Sequence, residues 1–517
     1  MPDRDIHADF ETPFASSGFA LALIAAGLVA SVVLGLLSDG AYHDDGLAHY
    51  LYARWAWGHL AYLLDEWGRP GLTCLLFPAA RFGWAACRIT SALVSATAVW
   101  LAFDVARRLG LPRAAWVPLL CLVQPVFVLA SYTTLTETAL AFYLTAAIWC
   151  LVRGRYAWSA AVLSLCFVTR YESLVFLPLW AVAIRQARGS WPCHLLLLWA
   201  PLVHNLLGFA VLDRWPIAFV VEASHPTMYG QGTPLSILVK SMATSGPAVA
   251  VLALAGLAVR MPGRGSWLIP ACYGSYLLTH SLIFSLGAYA SGGYPRFLVS
   301  TSPVAALCAT VALGALLDGP SAVRRRVLAG VALVAVMLWL GLELEMGIVD
   351  EAWLFLIEKV RGIVRLMTVV VLLSAGWMWV RRGRLAAVVL AGVAVVGTAL
   401  PLVYLVRPHR LPGEARHLDA AVDWLSESEY ADAPVIATNI WVSHFLDRGH
   451  NIVPADSTHI LDDAASGTVF IWDAEYSPTP RFGLTLDSMI ERPAWRLVWP
   501  SETRHRAEVA ARIYVRE

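Results

Sequence analysis

Long apolar segments separated by short polar turns make up most of this chain. Segments of about 20 apolar residues recur as far as residue 405, and most of them are long enough to cross a bilayer as a helix. Hydropathy windows of that length predict an α-helical polytopic membrane protein with about thirteen spans. The predicted spans are residues 19–38, 86–104, 114–131, 137–152, 156–169, 172–185, 193–212, 243–259, 266–287, 297–317, 327–345, 363–380 and 385–405.

The pattern changes to short alternating elements from about Arg407 onwards. Residues 417–427 predict a helix, and predicted strands follow at residues 434–438, 468–472, 495–499 and 509–515. Strands that alternate with helical stretches indicate a small α/β domain. The chain is therefore expected to contain a membrane domain at residues 1–405 and an α/β domain at residues 406–517.

Composition agrees with a membrane protein and excludes several other classes. Hydrophobic residues make up 58% of the 517 positions, charged residues make up 15%, and the mean hydropathy is +0.62. A soluble domain of this size needs a larger charged fraction on its surface. The net charge of +1 and the lack of a basic stripe give no reason to expect nucleic acid as a partner.

The positions of the arginines orient the predicted spans. Basic clusters follow the second and fourth spans and then every other connection, and short loops rich in Lys and Arg stay in the cytoplasm. This pattern places the N-terminus inside and the α/β domain outside the inner (plasma) membrane. The clusters comprise Arg107, Arg108, Arg113, Arg153, Arg155, Arg185, Arg188, Arg260, Arg264, Arg324, Arg325, Arg326, Arg381, Arg382 and Arg384.

Several polar residues are then predicted to meet at the outer face. Asp44 and Asp45 open the first outer loop, at about residues 39–85. The other outer-face candidates are His49, Arg69, Arg88, Glu137, Arg170, Glu172, Tyr294 and Arg296. Any one of them can serve as an anchor at a helix end. Two adjacent acids repel each other and have no such structural use, so we expect at least one of them to be functional.

Transfer of a sugar from a lipid phosphate is the chemistry that suits this set. Arginines at the water–lipid boundary can bind the phosphate of a polyprenyl-phosphate sugar through two hydrogen bonds each. A carboxylate opposite can act as the general base for the acceptor hydroxyl or amine. The predicted enzyme is a hexosyl or pentosyl transferase whose acceptor is an extracytoplasmic glycan, lipid or protein.

The chain resembles a known family in the segments Asp44-Asp45, Gly68-Arg69-Pro70-Gly71, Gly83 to Arg88 and Ala106-Arg107-Arg108. This order resembles the N-terminal signature of the GT-C glycosyltransferases, in the bacterial branch related to protein O-mannosyltransferases and lipid A aminoarabinose transferase. The resemblance implies thirteen spans with an exported α/β domain.

The same resemblance implies roles for three residues. Asp44 would be the catalytic base, Arg69 would contact the donor phosphate, and Glu137 would be a second acid in the same cavity. Two positions differ from the family pattern. The pair is Asp-Asp where Asp-Glu is more usual, and the loop has Arg69-Pro70-Gly71 in place of Lys-Pro-Pro.

Other functions remain open at this stage. A lipid-linked sugar flippase or transporter is one alternative, with His204, Asn205 and His280 as polar candidates near the middle of the bilayer. A glycan polymerase or ligase is another. No cofactor is predicted. A divalent metal could be bound if several predicted outer residues meet, but their spacing does not require one. These residues are His43, His49, His225, Glu137 and Glu172.

The orientation gives a direct prediction. An alkaline phosphatase fused after Glu517 should be active and a cytoplasmic reporter at the same point should be silent, because the arginine pattern places the C-terminus outside. Fusions in the loop that contains Arg324 should show the opposite pattern. An active cytoplasmic reporter after Glu517 would contradict the orientation.

Overall fold

The protein, seen in a computed structural model, divides into two compact units. The first comprises Met1–Leu36 and Leu60–Arg407, and the second comprises Leu37–His59 and Pro408–Glu517. The structure describes residues 17–187, 189–218, 231–263, 265–288, 292–345, 365–366, 368–379, 402–447, 459–479, 482–499 and 511–517.

The first unit is helical in its described part, as the apolar segments predict. Its α-helices are Ser17–Leu36, Pro70–Ala80, Trp84–Arg108, Val117–Leu122, Pro125–Ser131, Thr136–Val152, Tyr156–Thr169, Phe176–Gln186, Pro192–Leu195, Trp199–Leu212, Ser236–Ser245, Pro247–Gly256, Leu268–Ser285, Ser302–Leu317, Ser321–Glu345 and Thr368–Trp379. Short 3₁₀ helices lie at Leu60–Leu63, Ala114–Trp116, Tyr171–Val175, Leu196–Leu198 and Pro295–Thr301. Several of these helices, among them Ser17–Leu36 and Ser302–Leu317, are apolar along their whole length, as expected for membrane helices.

The prediction of thirteen spans is wrong for the described residues. Four helices there are long and apolar enough to cross a membrane, or up to six if two bent pairs each count as one span. The four are Ser17–Leu36, Trp84–Arg108, Pro192–Leu212 and Pro295–Leu317. Other predicted spans form shorter helices, such as the 14-residue Tyr156–Thr169. The last predicted span, residues 385–405, lies outside the described residues apart from its end.

The bent pairs have an identifiable cause. Ala114–Leu122 meets Pro125–Ser131 at 76°, and Ser236–Ser245 meets Pro247–Gly256 at 119°. The second member of each pair begins with proline, which has no N–H to continue the preceding helix and clashes with its last turn. Hydropathy averages across such a break, so the predicted span 114–131 covers both members of the first pair. The predicted span 243–259 covers Pro247–Gly256 and only the end of Ser236–Ser245.

The second unit contains a four-stranded mixed sheet. Its helices are Asp44–Trp55, Gly413–Glu427, Ile440–Leu446, His459–Asp463 and Leu486–Ile490. Its strands are β1 (Val435–Ala437), β2 (Val469–Asp473), β3 (Trp495–Trp499) and β4 (Ala511–Arg516). The strand order is β1-β2-β4-β3, with β1 and β2 parallel and the other pairs antiparallel. A small C-terminal sheet is thus present, with strands close to the predicted positions.

Burial explains the sheet. Every residue of β2 is buried, which suits a central strand covered on both faces. Phe470 and Trp472 of this strand pack with Trp495 and Tyr514 in one apolar cluster. The helix Gly413–Glu427 adds one apolar face, because its buried residues recur at helical spacing.

Residues 37–59 belong to this second unit although they precede most of the membrane helices. The backbone N–H of His409 donates to Ser38 Oγ at 2.9 Å, and the N–H groups of Asp39 and Gly40 both donate to the His409 carbonyl at 3.0 Å. At the other end of the segment, Arg54 forms a two-bond ion pair with Asp447, at 2.8 and 3.3 Å. The start of the predicted first outer loop is therefore built into the fold of the second unit.

Candidate functional site

The two adjacent acids begin a helix in the second unit. Asp44 and Asp45 are the first two residues of Asp44–Trp55, and the ring of His43 caps this helix by accepting from the Asp45 N–H at 3.2 Å. Carboxylates in the first turn interact favourably with the helix dipole. The local sequence thus explains how two like charges are tolerated side by side.

The surroundings of the two acids differ. The indole N–H of Trp441 donates to Asp44 Oδ1 at 3.1 Å, and the hydroxyl of Tyr476 donates to Asp44 Oδ2 at 2.6 Å. The side chain of Asp45 is 40% exposed, and its Oδ2 lies 3.4 Å from His43 Nδ1. Asp44 is therefore the acid whose carboxylate is fixed in place by other side chains. Sequence reasoning missed both donors, because nothing near them in sequence marks them as partners of Asp44.

In the first unit, three predicted residues form a buried ionic cluster. Arg170 Nη1 donates to Glu137 Oε1 at 2.8 Å, and Arg170 Nε and Nη2 donate to Glu172 Oε1 at 3.1 and 2.6 Å. The side chains of Glu137 and Arg170 are only 1% and 10% exposed. The Thr136 hydroxyl accepts a further bond from Arg170 Nη1 at 3.1 Å. The guanidinium of Arg170 is thus largely used by protein groups.

Arg296 approaches the same cluster from the 3₁₀ helix Pro295–Thr301. Its Nε lies 3.8 Å from Glu137 Oε1, which is longer than a hydrogen bond, and its side chain is 5% exposed. The ring centroid of Tyr294 lies 5.2 Å from the guanidinium carbon of Arg296. Phe297 lies beside both arginines. Its ring centroid is 4.4 Å from the guanidinium carbon of Arg170 and 5.5 Å from the guanidinium carbon of Arg296.

His280, one of the polar candidates predicted near the middle of the bilayer, also lies beside this cluster. His280 Nε2 lies 3.9 Å from Glu172 Oε1, and its ring lies 5.5 Å from the ring of Phe297. Its side chain is 1% exposed. Because a position inside an apolar helix is usually a core position, His280 could not be grouped with the predicted outer acids from sequence alone.

The remaining predicted residues have other contacts. Arg69 precedes the helix Pro70–Ala80 with a φ of 58°, a strained value for a residue with a side chain. Its guanidinium carbon lies 4.8 Å from the ring centroid of Tyr171, the residue before Glu172. Arg88 donates to the carbonyl of Gly35 at 3.3 Å and lies over the ring of Trp84. His49 is buried within the helix Asp44–Trp55.

The family motif around Arg69 has a packing reason. A Cβ at Gly71 would clash with the side chain of Thr169 on the helix Tyr156–Thr169, so only glycine allows the two helices to pack this closely. The Gly71 carbonyl accepts a hydrogen bond from the Tyr143 hydroxyl at 2.8 Å. These contacts fix the start of the helix and with it the position of Arg69.

Among the described residues, no group of three His, Cys, Asp or Glu side chains is arranged to hold a metal ion. His225 lies outside the described residues. The expectation that the protein needs no cofactor stays a prediction.

Two solved structures have a fold similar to that of this chain. The chain is similar to a crystal structure titled as ArnT from Cupriavidus metallidurans bound to undecaprenyl phosphate, with 14% identity, a TM-score of 0.59, and coverage of 96% of this chain and 98% of that one. It is also similar to ArnT from the same organism in the apo state, with 13% identity, a TM-score of 0.55, and coverage of 97% and 98%. ArnT is the lipid A aminoarabinose transferase, a GT-C enzyme.

This chain shares the fold of these two ArnT structures. The fold expected from the sequence resemblance is confirmed over almost the whole chain, apart from the number of spans. No protein-family model matches the chain, and no curated protein matches its sequence.

Two acids of the second unit, Glu414 and Glu475, lie close together and both have raised pKa values. Burial raises the pKa of Glu414 to about 8, and a hydrogen bond with Glu475 and the charges of Glu475 and Asp473 act in the same direction. Burial also raises the pKa of Glu475. The backbone N–H of Glu475 donates to Glu414 Oε1 at 2.9 Å. The fold therefore favours the neutral form of the Glu414 carboxyl group, which can donate a hydrogen bond to Glu475.

This pair predicts how stability depends on pH. The folded pKa of Glu414 is raised above its ordinary 4.5, so its contribution is complete below about pH 4.5 and declines as the pH rises towards about 8. The melting temperature of the purified protein should therefore fall over this range relative to that of Glu414→Gln, whose amide is always neutral. Glu427→Gln, an exposed change on the same helix, should parallel the wild type. Parallel curves for Glu414→Gln and wild type would contradict this account.

Proposed function

We propose that this protein is an integral membrane glycosyltransferase of the inner membrane. It would move a sugar from a polyprenyl-phosphate donor to a glycan, lipid or protein on the outer side. The observation that most supports this proposal is the likeness of nearly the whole chain to ArnT structures, one of which contains undecaprenyl phosphate. The cluster of buried arginines and acids and the fixed carboxylate of Asp44 supply groups suited to the reaction.

The proposed reaction is a single displacement at the anomeric carbon of the donor sugar. The acceptor oxygen or nitrogen attacks this carbon, and the bond between the carbon and the phosphate oxygen breaks. The electron pair of that bond leaves with polyprenyl phosphate. The acceptor proton passes to the carboxylate of Asp44, which acts as the general base. Asp45 would remain exposed beside it and take no proton in the reaction.

The donor phosphate would be bound by arginines. Arg69 and Arg296 are the proposed ligands, on the hypothesis that both reach the donor cavity from the outer face. A planar guanidinium can donate two parallel bonds to a phosphate and offset the charge that builds on the leaving oxygen. The other predicted members of the donor or acceptor cavity are Arg88, Glu137, Glu172, His49 and Tyr294.

A lipid-linked sugar flippase is the second candidate. The two sharply bent helix pairs favour it, since broken helices are common in transporters. A flippase binds a polyprenyl-phosphate sugar but leaves its glycosidic bond intact. Cleavage of that bond therefore distinguishes the two functions.

The proposed base gives one prediction. Asp44→Asn should insert and bind donor normally, because the change removes one charge from a partly exposed side chain, and it should lose about 10²–10⁴-fold in transfer rate. Asp45→Asn is the matched control and should keep much more activity. The measurement is release of polyprenyl phosphate by purified protein. Near-normal turnover of Asp44→Asn with an inactive Asp45→Asn would show that the wrong acid was chosen.

The proposed phosphate contacts give another. Arg69→Lys and Arg296→Lys keep the positive charge but lose the planar fork, and each should weaken donor use by about 1–3 kcal/mol, the usual range for a charge-assisted hydrogen bond. The measurement is kcat/KM for the donor. Arg381→Lys, in a predicted inner loop, should have no effect. If both outer variants match the wild type, the phosphate is bound by other residues, and Arg88 and Arg170 are the next to test.

A further inference from the structure

Trp441 and Tyr476 follow two adjacent parallel strands. Trp441 comes four residues after the end of β1 at Ala437, and Tyr476 comes three residues after the end of β2 at Asp473. The carboxyl ends of parallel neighbours lie at the same edge of a sheet. The two side chains are therefore brought together by the topology of the sheet, where both can reach one carboxylate.

A buried acid holds this edge in shape. Asp473 is fully buried and accepts hydrogen bonds from the Thr438 hydroxyl at 2.6 Å and the Ser477 hydroxyl at 3.0 Å. It also accepts from the backbone N–H of Tyr476 at 2.6 Å. The turn that carries Tyr476 is thus fixed by several bonds to one side chain, and it is tied to the end of β1 through Thr438.

The same acid reaches the segment that carries Trp441. Asn439 Nδ2 donates to Asp473 Oδ1 at 3.3 Å, and Asn439 Oδ1 accepts from the Trp441 N–H at 3.0 Å as the N-cap of the helix Ile440–Leu446. The position of Trp441 is therefore determined by a cap that is itself bonded to Asp473. Both donors to Asp44 rest on one buried network.

The helix that begins with Asp44 does not depend on these two donors for its attachment. Hydrogen bonds of His409 with the Ser38 hydroxyl and with the N–H groups of Asp39 and Gly40 hold the chain before it, and the Arg54–Asp447 ion pair holds its last turn. The bonds from Trp441 and Tyr476 act on the carboxylate itself, one on each oxygen. An ionised carboxylate has about four acceptor positions, so others remain for an acceptor proton.

We propose that Trp441 and Tyr476 are positioning residues that orient the carboxylate of Asp44 for proton abstraction, which makes the C-terminal unit part of the transferase machinery. This inference rests on the proposed function. Burial and the negative charge of Asp44 raise the pKa of Tyr476, so its hydroxyl keeps its proton and remains a donor. Phenylalanine at either position keeps an aromatic ring but cannot donate.

The experiment uses full-length protein purified in detergent, with the lipid extract of a deletion strain as the source of donor and acceptor. Release of polyprenyl phosphate is followed by mass spectrometry at limiting and saturating extract. Tyr476→Phe and Trp441→Phe should each lower the maximal rate about 10–100-fold, the effect of losing a hydrogen bond to a charged group. The amount of extract that gives half the maximal rate should stay unchanged.

The same substitutions should cause no further loss in protein that already carries Asp44→Asn, because the group that they orient is gone. A purely structural role would lower the rate equally in both backgrounds and would overturn the proposal. The matched control is Tyr430→Phe, which removes another hydroxyl of this unit, one that accepts from Arg496 at 3.3 Å. It should keep the wild-type rate.

The outcomes separate this inference from the function on which it rests. If Asp44→Asn is inactive while Tyr476→Phe and Trp441→Phe keep the wild-type maximal rate, the positioning role is overturned and the transferase stands. If wild-type protein releases no polyprenyl phosphate, the proposed function fails and the positioning role fails with it. Thermal unfolding of each variant confirms folding, and the two substitutions give independent tests if one variant does not fold.

Discussion

The carboxylate of Asp44 accepts one hydrogen bond on each oxygen, and its two donors lie 397 and 432 positions later in the chain. This interaction ties the start of the helix Asp44–Trp55 to segments that follow β1 and β2 of the C-terminal sheet. A base proposed from the first loop is thus oriented by residues near the end of the chain, and both donors depend on the buried carboxylate of Asp473. In the proposed mechanism, the C-terminal unit contributes the groups that orient this base.

In the first unit, the charged residues of the ionic cluster balance one another. Glu137, Arg170, Glu172 and Arg296 form a buried set of two acids and two arginines, so the formal charges cancel. Removing one member of such a set would leave a buried charge without its partner, at a cost of about 3–5 kcal/mol. Arg170 is the centre, since it binds both acids. Arg296 Nε lies 3.8 Å from Glu137 Oε1, and this residue adds the second positive charge to the set.

Much of the fold could be predicted from sequence because hydropathy and strand patterns are local. The strand Trp495–Trp499 has the expected bounds, and helices lie at most of the expected positions. The number of spans was wrong because prolines bend two segments and other segments fold as short helices. The positive-inside pattern selected Glu137, Arg170, Glu172 and Arg296 together, and the structure brings them together. Trp441 and Tyr476 could not be predicted, because only the strand order β1-β2 places them beside Asp44.

One measurement separates a transferase from a flippase most directly. Detergent micelles have no two sides, so purified protein mixed with solubilised donor and acceptor lipids can change them only by chemistry. The account predicts that the lipid-linked sugar disappears, that polyprenyl phosphate appears in equal amount, and that one acceptor gains the mass of one sugar. If protein that restores a deletion strain leaves all three masses unchanged under these conditions, the central claim is contradicted and the flippase takes its place.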